Sequence, residues 1–224
     1  LEKRGIFGGA FNPVHWGHLL LAETALSQFN LKQVIWVPTF CPPHKPTSLL
    51  DFKHRMQMVQ LAIADHPAFI ASDLEQRQGG VSYAISTWRQ LATLYSNTHW
   101  HWLIGMDAFH NLPGWRDSAE LASQCVWLVA PRWIQDNSLA SFYEPGLLQL
   151  EPSRLEQSKL EQICQQVTLS FSNHLDPLQW AILQMPPVGI SSSLIRAYCR
   201  QGRSLRDLVP ETVREYIITH QLFL

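Results

Sequence analysis

The chain has 224 residues, 46% hydrophobic and 16% charged, with 17 Lys and Arg against 18 Asp and Glu for a formal net charge of −1. That composition excludes a disordered, collagenous or coiled-coil chain, and the length suits one domain, residues 1–224, with a sizeable core. The balanced charge argues against nucleic acid as a partner, since a polyanion-coating protein carries a basic surplus, and leaves small anionic ligands open. Cys41, Cys125, Cys164 and Cys199 lie far apart with no C-x-x-C pair, which fits reduced, mostly buried thiols and a cytoplasmic setting. The chain opens on Leu1 rather than methionine, which fits a trimmed or incomplete start. No apolar run reaches the roughly 18 residues of a membrane span, so no membrane partner is expected.

In chain order, short apolar runs alternate with helical patterns. Strands are predicted at Gly5–Phe7, Gln33–Val37, Ala68–Ala71, His99–Ile104, Cys125–Ala130 and Trp180–Gln184, several continuously apolar as a sheet covered on both faces requires. Between them, Leu19, Ala22, Leu26 and Phe29 fall on one face of a helix from about Gly17 to Phe29. Asp51–Ala64, Ser82–Tyr95, Ser153–Gln166, Ser191–Arg200 and Pro210–His220 read as further helices. The stretch from Trp133 to Gln179 is expected to be a less regular excursion, polar and Pro/Gly-punctuated as far as Leu150. This order implies a three-layer α/β fold with a mostly parallel sheet and right-handed crossovers, whose ligands sit beyond the carboxyl ends of the strands.

The segment directly after the first strand is Gly8-Gly9-Ala10-Phe11-Asn12-Pro13-Val14-His15-Trp16-Gly17-His18. Paired glycines let backbone approach a ligand, and the helix that follows offers N–H groups with partial positive charge. The motif is neither G-x-G-x-x-G nor a P-loop, so neither hydride transfer nor a Walker site is supported. His15 and His18, three apart at a helix start, can face one anion together. Near the other end, Ile190-Ser191-Ser192-Ser193-Leu194-Ile195-Arg196 opens a helix with a serine cap. Arg196 there faces the positive end of the helix dipole, a poor placement unless an anion is held beside it.

Gly8–His18 resembles the signature of the nucleotidyltransferases built on an H-x-G-H element, here His15-Trp16-Gly17-His18, and Ile190–Arg196 resembles the superfamily's second element. Within that superfamily the chain is most similar to the bacterial nicotinate-nucleotide adenylyltransferases, over nearly its whole length apart from about Trp133 to Gln179. The resemblance implies a three-layer Rossmann-like nucleotidyltransferase fold and transfer of AMP from ATP to nicotinate mononucleotide, with Mg²⁺ carried on the ATP phosphates and no protein-held metal. It implies His15 and His18 as catalytic residues. ATP contacts are implied from Gly8, Gly9, Ala10, Phe11, His15, His18, Gly105, Asp107, Ile190, Ser191, Ser192 and Arg196. For the mononucleotide it implies Asn12, His44 and Lys45 of a Pro-Pro-His-Lys element, Ser82, Tyr83, Trp115 and Arg132. Homo-oligomerisation stays open.

Two positions depart from the family pattern. Asn12 stands where the family usually has Asp, and Ala84 stands where it often has a Thr whose hydroxyl helps hold the nicotinate carboxylate. Acid-versus-amide preference is therefore open. The rival readings are a sister transferase acting on nicotinamide mononucleotide or phosphopantetheine, a nucleotide-binding module without turnover, and a His-metal hydrolase.

Overall fold

Alternation of side chains along the strands sorts the core into two halves. The computed structural model describes residues 1–43, 49–131, 154–172, 177–186 and 188–224. Among these, six strands, β1 (Glu2–Gly9), β2 (Gln33–Pro38), β3 (Phe69–Ala71), β4 (Thr98–Gly105), β5 (Cys125–Ala130) and β6 (Trp180–Ile182), form one sheet. Phe7, Val34, Trp36, Leu103 and Leu128 point to one face, and their neighbours Ile6, Ile35, Trp102 and Trp127 to the other. Both faces are covered, which is why the strands read as continuous apolar runs.

Onto the first face pack α1 (Trp16–Phe29), α2 (Phe52–Ile63), α8 (Ser192–Arg200) and α9 (Glu211–Thr219). Onto the second pack α3 (Leu74–Gln78), α4 (Ala84–Leu94), α5 (Met106–His110), α6 (Ser118–Gln124) and α7 (Arg154–Leu169). A short 3₁₀ turn, Leu112–Gly114, links α5 to α6. The predicted strands and long helices are all present with ends shifted by a few residues. The short α3, α5 and α6 are additional, because five to seven residues are too few for a helical period to show in sequence. The buried face of α1 centres on Leu21, Ala22 and Ala25, with Leu19, Leu26 and Phe29 half-buried beside it, one step around from the predicted stripe. Trp133–Leu150 lies outside the described residues.

The sheet is wholly parallel, in the order β3-β2-β1-β4-β5-β6. From β1 the chain winds one way to β2 and β3, then returns to the other side of β1 for β4, β5 and β6. Connections leaving β1 and β4 therefore diverge and open a crevice at their carboxyl ends. Ile6 pairs with Trp102, so Gly9 and Gly105, three residues further along each strand, come level across that switch point. No described helix is long and apolar enough to cross a membrane. All four cysteines are free thiols; Cys125 and Cys164 are buried, whereas Cys41 and Cys199 are half-exposed, more open than their spacing suggested.

Candidate active site

The Gly8–His18 segment leaves the switch point as a loop and becomes α1 at Trp16. Phe11 holds a left-handed backbone, φ 46°, with its ring buried edge-on to Phe7 and His18. An aromatic residue rarely adopts that conformation, and it persists only where the surroundings fix it. Three grips do so. Ala10 O accepts from Arg55 Nη1 at 2.9 Å, Asn12 O from Arg196 Nη1 at 2.7 Å and Pro13 O from Ser192 Oγ at 2.8 Å. The C-terminal element is thus latched to the N-terminal one, and Ser191 caps α8 by accepting from Leu194 N at 3.2 Å. The misplaced cation of the sequence has its explanation here. Arg196 is answered by the Asn12 carbonyl and the Ser193 hydroxyl, with guanidinium N–H groups left over to face an anion.

His15 and His18 stack, ring centroids 3.7 Å apart and 28° between planes. Gly17 makes this pairing fit: a Cβ there would lie 3.1 Å from the His15 ring and 3.2 Å from Val188. The His15 backbone N–H donates to His18 Nδ1 at 3.2 Å, which leaves the proton of a neutral His18 on Nε2. Burial holds both rings neutral. It pushes His15 down to about 4, and burial together with the neighbouring His15 pushes His18 well below its ordinary value. The pair is therefore a set of neutral hydrogen-bond donors rather than a cationic clamp. His15 Nδ1 is buried with no partner, on a ring only 7% exposed. One expectation is corrected: the first N–H of α1, that of Trp16, donates to Leu208 O at 3.2 Å and is not free for a ligand.

Across the crevice Gly105 ends β4, and Asp107 stands exposed in the first turn of α5. Trp115 follows the 3₁₀ turn, half-buried, with Trp102 and Trp127 edge-on at 6.4 and 6.2 Å. Tyr83 precedes α4, and the Arg116 Cζ lies 4.6 Å over its ring. Ser82 faces the loop after β2: its amide donates to Cys41 O at 2.7 Å and its Oγ accepts from Cys41 N at 3.0 Å. Ser82 anchors that loop. Asn12 is buried, and its Oδ1 accepts from Leu50 N at 3.3 Å, a bond that needs an acceptor and no charge. Ile190 packs half-buried against the α8 face. His44, Lys45 and Arg132 lie outside the described residues.

Two groups escaped the sequence reading. Arg55 on α2 is 1% exposed, donating to Ala10 O and to Leu50 O. Glu75 is buried beside α4, accepting from Phe40 N at 3.0 Å and from Thr87 Oγ1 at 2.7 Å. Arg55 sits one turn into α2 among the polar neighbours Lys53, His54 and Gln57, so nothing in the sequence sets it apart.

The cytidylyltransferase-like family model matches residues 6–198, spanning both elements of the site. The chain belongs to this family. It is 45% identical over 223 residues to a protein of Nostoc sp. and equally to one of Trichormus variabilis, covering 100% of this chain and 98% of each relative. Both relatives carry the name probable nicotinate-nucleotide adenylyltransferase. Among solved structures, Plasmodium falciparum nicotinic acid mononucleotide adenylyltransferase complexed with NaAD superposes with a TM-score of 0.72 at 16% identity, covering 100% of this chain and 98% of that one. At that identity the structural likeness speaks for the fold, and the curated relatives carry the family further.

Proposed function

We propose that this member of the cytidylyltransferase-like family transfers the adenylyl group of ATP to the 5′-phosphate of nicotinate mononucleotide, forming nicotinate adenine dinucleotide and pyrophosphate for NAD biosynthesis. The observation that carries the reading is the stacked, neutral His15–His18 pair on a loop gripped from behind by Arg196 and Ser192 at the switch point. A phosphate oxygen of the mononucleotide attacks the α-phosphorus of ATP while the bond from that phosphorus to the bridging oxygen breaks, and pyrophosphate leaves with its electron pair. The acceptor phosphate is already largely a dianion near neutral pH, so no general base or covalent intermediate is needed. Catalysis is then positioning plus stabilisation of charge on the pentacoordinate phosphorus.

In this reading His18 Nε2–H donates to the α-phosphate oxygens and His15 to a neighbouring phosphate. Neutral donors suit the role, since they need not shed a proton or a hydration shell as charge develops. Arg196 and the start of α8 hold the leaving phosphates, and Gly8, Gly9 and Gly105 allow the nucleotide against the backbone. Asp107 takes the ribose hydroxyls. Trp115 and Tyr83 flank the pyridine ring, with Lys45, His44 and Arg132 assigned to the mononucleotide from the sequence. Among the described residues no three His, Cys, Asp or Glu side chains converge as a metal cage. Magnesium fits as an ion that arrives with the triphosphate and shields its charge, keeping most of its waters. Free thiols throughout support a cytoplasmic setting.

Pyrophosphate release with ATP and Mg²⁺ tests this, run in parallel with nicotinate mononucleotide, nicotinamide mononucleotide and phosphopantetheine. Strong preference for the first is expected. Release only with phosphopantetheine, or none with any acceptor while ATP binds, overturns the reading. Ala84, which opens α4 without a hydroxyl, favours one second reading: comparable use of both pyridine mononucleotides.

A further inference from the structure

We propose that Arg55 is a positioning residue for the transfer, acting through the Ala10 carbonyl to aim the Phe11 backbone N–H into the nucleotide crevice. The inference rests on the proposed function for its reaction, and on hydrogen-bond geometry for everything else.

Arg55 cannot meet a substrate itself, because it is 1% exposed inside α2. Its Nη1 donates to Ala10 O at 2.9 Å and its Nε to Leu50 O at 2.8 Å. A peptide unit is planar and trans, so its C=O and the following N–H point in opposite directions. A guanidinium holding Ala10 O toward α2 therefore turns the Phe11 N–H away from α2. The same logic applies three peptides on, where Ser192 holds Pro13 O and turns the Val14 N–H outward. Phe11 N and Val14 N have no hydrogen-bond partner among the described residues. The Phe11 peptide needs such a hold, because at φ 46° it is not a conformation that the residue adopts by preference.

The cost of placing Arg55 there argues that it does more than fill space. Burial pushes its pKa down to about 10, with Glu75 and Asp51 opposing the shift, so at neutral pH it stays charged while buried beside the Phe52 ring. A buried charge is no better for stability than a well-packed apolar side chain of similar volume. Methionine at this position would keep the packing and lose both carbonyl grips. Leu50 N–H also reaches Asn12 Oδ1, so the same guanidinium fastens two neighbouring segments of the site to one helix.

The test compares the parent, Arg55→Met and Arg55→Lys by ¹⁵N–¹H spectra of phenylalanine-labelled protein with and without ATP, and by steady-state kinetics. In the parent, ATP is expected to move the Phe11 amide proton downfield, as a phosphate acceptor does. Arg55→Met should lose most of that movement and about tenfold or more of kcat/KM for ATP, less than the roughly 100- to 1,000-fold of a donor removed outright because the Phe11 N–H is displaced and not deleted. Arg55→Lys keeps the charge and the stem but lacks the rigid fork whose separate Nε and Nη1 reach the two carbonyls, so it should fall between the two in both readouts. A merely structural Arg55 would lower the melting temperature and leave the ATP-induced Phe11 movement intact. If Arg55→Met does not fold, Arg55→Lys decides. A parent-like Phe11 movement with parent-like kcat/KM in a folded variant overturns the proposal. A parent that shows the Phe11 movement but releases no pyrophosphate with any acceptor sinks the proposed function and leaves this inference standing.

Discussion

The two walls of the crevice are built differently. On the β1 side the Gly8–His18 loop is largely buried and overdetermined: three of its carbonyls are held by side chains from α2 and α8, and its imidazoles are stacked and kept neutral. On the β4 side, short elements carry half-exposed rings, Trp115 and Tyr83, held by edge-on packing and by a guanidinium at the surface. The first arrangement suits a step whose transition state must meet donors already in place. The second suits recognition of a flat ring, where contact area matters more than placement to a fraction of an ångström.

That contrast is breakable. His18→Ala should lower kcat by about 100- to 1,000-fold, the range for loss of one donor to a developing charge. Its ring also packs on Phe7 and Phe11, so a melting curve should accompany the kinetics. Near-normal kcat would remove the β1 wall from the chemistry.

Protonation attacks the same wall. His15 has its native pKa depressed to about 4, so between its ordinary value near 6.5 and about 4 the unfolded chain binds a proton that the native one refuses. Stability is therefore whole above that window and falls with pH through it, by on the order of 3 kcal/mol from His15 alone. Urea midpoints at pH 7 and pH 4.5 measure it. His101, also pushed down to about 4 by burial, adds the same trend, so the comparison is with His15→Gln, whose decline should be shallower. An equally steep decline would mean that His15 does not refuse the proton.

Arg196→Ala removes the Asn12 latch and the proposed phosphate contact together. Loss of a charge-assisted hydrogen bond at about 1.5–3 kcal/mol predicts a fall in kcat/KM for ATP of about 10- to 100-fold. A fall confined to the mononucleotide would separate the latch from the triphosphate. Trp115→Ala tests the other wall. Stacking worth about 1 kcal/mol predicts a roughly fivefold rise in the KM for the mononucleotide and little change for ATP. Equal effects on both substrates would dissolve the contrast. The smallest effect expected is from Ala84→Thr. It adds a hydroxyl at the start of α4 and should raise the acid-to-amide preference by a few-fold, the scale of one net hydrogen bond at about 1 kcal/mol. No change would place the carboxylate away from that helix.

The sheet and the long helices were legible because their cause is local and repetitive: strands buried on both faces read as apolar runs, and α1, α2, α4, α7, α8 and α9 are long enough for a period to show. The two motifs were legible because glycine pairs, spaced histidines and a serine-capped turn are rare combinations. Arg55 and Glu75 were not, since each holds a backbone group of a distant loop, Glu75 with a Thr87 hydroxyl besides, and one backbone carbonyl or amide looks like any other in a sequence. Arg196 was read only in part. Its odd position on the helix dipole pointed to a negative partner, and the partner that the fold supplies in the chain itself is a carbonyl 184 residues away.

The sequence by itself determined the fold class, the family and the segments that meet at the site, because hydrophobic periodicity and local turn chemistry need only neighbours along the chain. Tertiary structure alone decided which way the Gly8–His18 loop faces, that its histidines are neutral, and which side chains hold it from behind. Those properties depend on burial and on hydrogen bonds between residues far apart in sequence, and they exist only once the sheet has brought β1 and β4 together.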